Sequence, residues 1–105
     1  MSGASDKEHN ATHALKTLPT HLEAVWQRTK RAELRFTGDR AFRVGDEIQL
    51  HEFDPETESY TGRSVEAEIT HIVRGPDYGL AKDWAMLSFD IKAMTNARRG
   101  RKNAV

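Results

Sequence analysis

Between Leu18 and Phe36 the spacing of apolar residues changes from that of a helix to that of a strand, and it does not change back. Leu18, Leu22, Val25 and Trp26 fall at i, i+4, i+7 and i+8, one stripe of an amphipathic helix. From Ala32 onward the period is two. Ala32, Leu34 and Phe36 alternate with Glu33 and Arg35; Ile48 and Leu50 alternate with Gln49 and His51; Val65, Ala67 and Ile69 alternate with Glu66, Glu68 and Thr70. One helix and about five largely sequential strands in 105 residues leave few ways to hide the sheet edges. The expectation is an α+β domain built as a small, closed or partly closed β-barrel with the helix plugging one end. The length fits one domain.

Turn chemistry marks the boundaries. A short strand is expected over 13–16 and a helix over 19–30, with Pro19 in its first turn, where a missing N–H costs nothing. Thr20 and Glu23 have capping-box spacing. Residues 37–40, 44–46 and 54–57 read as turns, and Gly75-Pro76 ends a long strand that begins at Ser64. Trp84 to Phe89 is nearly all apolar and reads as a strand buried on both sides. A polar leader over 1–12 and a basic tail over 92–105 are expected to be disordered around a domain at 13–91.

The absence of cysteine excludes disulfides and thiol chemistry. No apolar run approaches the roughly 20 residues a membrane helix needs, and the first 12 residues lack the apolar core of a signal peptide. A cytoplasmic, monomeric protein with no membrane association is expected. The histidines show no ligand spacing, and no metal or other cofactor is expected.

Sixteen basic and sixteen acidic residues cancel in number but not in position. Residues 91–105 carry five bases and no acid. Residues 28–43 carry six bases against Glu33 and Asp39, whereas 46–58 carry six acids and no base. Such blocks bear on partners. The basic strip suits phosphates, and the acidic hairpin suits a protein partner; each reads equally as a solvated face. Glu33 and Arg35 are two apart on a strand, so both leave one face, taken to be the wet one, with Leu34 and Phe36 in the core. A carboxylate beside a guanidinium can hold a base edge, the acid accepting from an exocyclic amine and the arginine donating to a ring or phosphate acceptor. It can equally be a surface ion pair of small energy.

The order of short motifs along 13–90 resembles the ASCH domain of the PUA-like superfamily, in a small bacterial and phage branch. It runs His13-Ala14-Leu15-Lys16-Thr17, the Pro19 helix, Lys30-x-x-Glu33-x-Arg35, Asp39-Arg40, Phe42, Val44-Gly45-Asp46, His51-Glu52-Phe53-Asp54-Pro55-Glu56-Thr57, Tyr60-Thr61-Gly62-Arg63, Tyr78-Gly79-Leu80 and the Trp84 strand. The resemblance implies a PUA-like mixed β-barrel of about five to six strands with one main helix, a cleft beside that helix, and RNA or nucleotide binding. Some relatives hydrolyse N4-acetylcytidine with a lysine, a threonine and a glutamate in a G-x-K-T-x-T-x-R motif. Here Lys30 and Arg35 match, Glu33 stands at the nucleophilic threonine, and Arg28 and Arg31 replace the glycine and the first threonine. Those changes favour binding a polyanion over cleaving an amide.

The expected function is therefore a nucleic-acid-binding module, RNA before DNA. Lys16, Lys30, Arg35 and Arg40 would contact phosphate or base, Glu33 a base amine, and Tyr60 and Arg63 would flank the cleft. The alternatives are an amidohydrolase on a modified nucleoside, with Lys30 and Glu33 as a proton-transfer pair, and a phage protein-interaction module docking through hairpin 46–58.

Overall fold

The structure, a computed structural model, describes residues 10–38 and 40–97. Strand β1 (Thr12–Thr17) leads into helix α1 (Pro19–Trp26) and then β2 (Ala32–Phe36), β3 (Glu47–Asp54), β4 (Ser59–Arg74) and β5 (Trp84–Asn96). The five strands form one sheet in the order β1-β3-β4-β5-β2. Only the β1–β3 pair is parallel. Ladder irregularities in β3–β4 and at two points in β4–β5 add local twist, and the sheet curls into a half-barrel around the helix. This is the small, barrel-like α+β arrangement expected, with five strands and one α-helix among the described residues.

The concave side holds the core. Leu22 and Val25 of α1 pack with Leu15, Phe42, Ile48, Leu50, Val65, Ala67, Ile69, Ala85, Leu87 and Phe89. Pro19 opens the helix as expected, but Leu18 is the N-cap and makes no side-chain cap bond. Glu23 bonds Gln27 and Arg63, so no capping box forms. The helix also stops at Trp26 rather than Lys30. Arg28 takes φ 67, donating its N–H to the Val25 carbonyl while Thr29 N–H reaches Ala24. This is a Schellman ending with arginine in the left-handed position that glycine usually fills. Strand β5 alternates: Ala85, Leu87 and Phe89 are buried, whereas Trp84 is exposed and Met86 and Ser88 are half-buried. It is thus one-sided rather than buried on both faces. It continues to Asn96, five residues into the segment read as a tail; residues 1–9 and 98–105 of the leader and tail lie outside the described residues.

Two buried polar clusters tie the loops to the sheet. Asp46, 1% exposed, accepts from Ala11 N–H (2.9 Å), Arg43 N–H (3.0 Å) and the His13 ring (2.8 Å). Burial works to raise its pKa, but these three bonds outweigh it and hold the carboxyl below its usual value. On the other side, Arg63 grips Glu52 with Nε (3.3 Å) and Nη2 (3.0 Å), reaches Glu23 with Nη1 (2.8 Å), and lies over the Trp26 ring at 5.0 Å. Burial works against the guanidinium charge; the hydrogen bonds to Glu52 and Glu23 prevail and raise its pKa.

Candidate functional site

Strands β1 and β2 are neighbours in sequence, separated only by α1, yet they form opposite edges of the sheet. Curling brings the edges together without a backbone ladder between them. Arg35 spans the seam: its Nη2 donates to the Lys16 carbonyl (2.9 Å) and lies 3.4 Å from the Thr17 hydroxyl. The seam opens into two adjoining cavities, of about 540 and 610 Å3, which share Lys16, Leu34 and Arg35.

The face each residue of β2 presents is dictated by β5. Residues opposite each other in a ladder point to the same side. Glu33 pairs with Leu87 and Arg35 with Ala85, both core residues; Leu34 pairs with Met86 and Phe36 with Trp84. Glu33 and Arg35 therefore point inward, and Leu34 and Phe36 outward. Glu33 is 5% exposed, while Leu34 and Phe36 are 55% and 59% exposed. This reverses the parity expected from sequence. Register against a strand with an unambiguous core face overrides the usual rule that apolar residues point in.

Inside the smaller cavity, Glu33 Oε1 lies 3.4 Å from Arg35 Nε, and Glu33 Oε2 lies 3.9 Å from Lys30 Nζ. Neither Oε2 nor Arg35 Nε makes a hydrogen bond, though both are buried. A buried polar atom without a partner costs about 1–3 kcal/mol, more when charged. Here an acceptor and a donor of one ion-paired cluster are left without a hydrogen bond. Thr17, Leu18, His21 and Met86 complete the wall.

A family model matches residues 12–89, spanning β1 through most of β5. The chain belongs to that family, described as a domain of unknown function (DUF3850). In this DUF3850 domain the matched span contains every residue of the seam described above. No curated protein matches the chain.

Of the residues expected at a site, Lys16, Lys30, Glu33 and Arg35 line the smaller cavity, and Lys16, Arg35, Arg40 and Tyr60 the larger. Lys16 Nζ sits 4.3 Å above Phe53, and Arg40 lies 5.7 Å from the Phe42 ring. Arg63 lines neither; two carboxylates already hold it. Arg28 and Arg31, which replace the motif's glycine and first threonine, line neither cavity and flank a separate concavity beside Phe89 and Lys92. Two of the six acids in 46–58, Asp46 and Glu52, are buried and bonded inward, so the hairpin surface is less acidic than its composition. Sequence reasoning missed Thr17, His21, Phe36 and Trp84 as cavity residues. The first two carry no local signal, and the last two were hidden by the parity error. Among the described residues, no cluster of three or more His, Asp or Glu is placed to hold a metal, and no helix is long and apolar enough to cross a membrane.

Proposed function

We propose that this domain is an ASCH-like, PUA-like module of the cytoplasm that binds RNA by taking one unstacked base into the seam between β1 and β2. The observation that carries the reading is that Glu33 Oε2 and Arg35 Nε, an acceptor and a donor within one ion-paired cluster, make no hydrogen bond, on a cavity that Lys16 and Lys30 also line. A base that places an exocyclic amine next to a ring acceptor, as cytosine and adenine do, complements that couple. Glu33 accepts from the amine and Arg35 donates to the ring nitrogen. Uracil has no exocyclic amine and could meet the couple only with its ring N–H and a carbonyl, a different part of its edge. The cavity is within the range of small-ligand sites, and Leu34, Leu18 and Met86 supply apolar surface for a ring. Lys30, whose ammonium lies 3.9 Å from Oε2, is the long, flexible group that must swing aside, and it then meets phosphate.

The test is titration of labelled hexanucleotides of C, A and U at two salt concentrations. Binding should fall with salt, by a log–log slope of about 0.7 per phosphate contacted. C and A should bind more tightly than U. Arg35→Ala and Lys30→Gln should each weaken binding, and the second leaves the bond to the Lys16 carbonyl intact. Absence of binding at low salt refutes the reading.

One observation favours a second reading, hydrolysis of an acylated nucleoside. Thr17 brings a hydroxyl into the cavity that holds Lys30 and Glu33, although the motif position for threonine is Glu33 itself. Release of the acyl group from N4-acylcytidine, lost in Lys30→Ala, would establish it.

A further inference from the structure

The outward face of β2 is unlike a solvated edge. Phe36 and Trp84 stand side by side, their rings 5.8 Å apart and edge to face, with Leu34 next along the strand. Phe36 is 59% and Trp84 40% exposed. Gly38 lies close against the Phe36 ring: a Cβ there would come within 2.9 Å of it. These rings line the larger cavity together with Lys16, Arg35 and Arg40, and Tyr60 stands on its β4 side. Among the described residues lining it, there are three cations and no acid. Exposed rings interleaved with cations, free of acids, are what a single strand of nucleic acid uses: bases stack on the rings and phosphates meet the cations. A protein partner would find the apolar surface but little use for three cations on a wall without acids.

We infer that Phe36 and Trp84 form a stacking subsite for the nucleotide adjoining the one held at Glu33, so that the ligand is a single-stranded oligonucleotide rather than a free nucleoside. The inference rests on the base-binding reading above and adds to it. The two cavities share Lys16, Leu34 and Arg35, so a strand passing from one to the other carries its linking phosphate over Lys16 and Arg35. Leu34 is the ridge between the bases. The aromatic pair adds affinity without choosing a base, since every base has a π-face. Selectivity stays with the Glu33 pocket.

Trp84 is its own reporter once Trp26, the other tryptophan, is replaced by phenylalanine. In the Trp26→Phe protein, a cytosine hexanucleotide should quench Trp84 fluorescence, whereas cytidine monophosphate should bind without doing so. Phe36→Ala and Trp84→Ala should each weaken the hexanucleotide roughly 5- to 150-fold, the range one stacked base supplies. Both should leave the mononucleotide affinity within about twofold. Trp84→Phe keeps a ring and should retain most of the affinity. Both side chains are largely outside the core, and circular dichroism confirms that each variant folds. If Glu33→Gln weakens the hexanucleotide while both alanine variants bind as the parent does, the base pocket stands and the stacking subsite is refuted. If the hexanucleotide binds no better than the mononucleotide, the subsite is likewise refuted. If nothing binds at low salt, the base-binding reading falls and the subsite with it. If the parent is a dimer and the double alanine variant a monomer on a sizing column, the rings are an interface between copies, and the inference is overturned.

Discussion

Replacing Asp46 by alanine removes the acceptor for three donors at once. Its Oδ1 takes the Ala11 N–H at 2.9 Å; its Oδ2 takes the Arg43 N–H at 3.0 Å and the His13 ring at 2.8 Å. Because the carboxylate is ionised and can only accept, His13 Nε2 carries the proton in that bond. Each bond to a charged group contributes about 1.5–3 kcal/mol, but the three are not additive. Ala11 and Arg43 are exposed residues and recover part of the loss from water, whereas His13 is buried beside the Phe42 ring at 4.5 Å. The net cost should be about 3–4 kcal/mol, a large share of the stability of a domain this size. The midpoint of thermal unfolding should drop by roughly 12–25 °C. The pH dependence adds an independent check. The Asp46 pKa is lower folded than unfolded, so the carboxylate stabilises the protein fully above about pH 5. That contribution fades as pH falls through 4 toward the folded value. Urea unfolding at pH 7 and at pH 3 should therefore show a gap between parent and Asp46→Ala that narrows in acid. A cost below about 1 kcal/mol at pH 7, or a gap of the same size at both pH values, would refute the assignment of Asp46 as the charged clasp between the start of β1 and the loop before β3.

Arg63→Ala should cost about 2–4 kcal/mol in urea unfolding, because it strips the guanidinium from buried Glu52 and uncovers Trp26. Arg63→Lys should not restore it, since one ammonium cannot serve both carboxylates in the fork geometry. Arg28→Gly should stabilise the protein by about 0.5–1 kcal/mol, relief of the left-handed strain exceeding the extra freedom of glycine in the unfolded chain; a loss in thermal midpoint would contradict the Schellman ending. Gly75→Ala should destabilise by at least about 1–3 kcal/mol, because the added Cβ would collide with the Ala81 carbonyl, and a neutral result would place that loop differently.

The legible part of this chain was its sequence of periods. The stripe through Leu22 and Val25, the alternation in β3 and β4, and the turns at Gly45 and Asp54 each follow from local chemistry, and each sits where local chemistry puts it. The illegible part was orientation and reach. Nothing near Arg28 announces that the helix ends at Trp26, since a non-glycine left-handed residue leaves no compositional mark. Nothing within Glu47–Asp54 says that Glu52 turns inward, because the arginine that neutralises it is eleven residues away. The parity of β2 was unreadable for a related reason. In AELRF the alternation is clean but the identity of the wet face is not, and it is settled only by pairing with β5, whose apolar run hides its own parity.

That inverted parity and the location of the site have one cause. Where the two edges of this five-stranded sheet meet, the space is left as two cavities rather than filled by apolar side chains. Pairing β1 directly to β2 would close the barrel but would require the backbones to approach within ladder distance, about 4.8 Å. A side chain spans the gap instead, and it must be long, planar and able to donate several bonds at once; Arg35 meets that requirement by reaching the Lys16 carbonyl from β2. Its charge then needs a buried counter-ion, which Glu33 supplies two residues earlier on the same face. Once both occupy the inner face, Leu34 and Phe36 have only the outer one. An open seam with charge within and rings without is thus the consequence of leaving one ladder unmade, and a closed barrel of the same strands would possess neither.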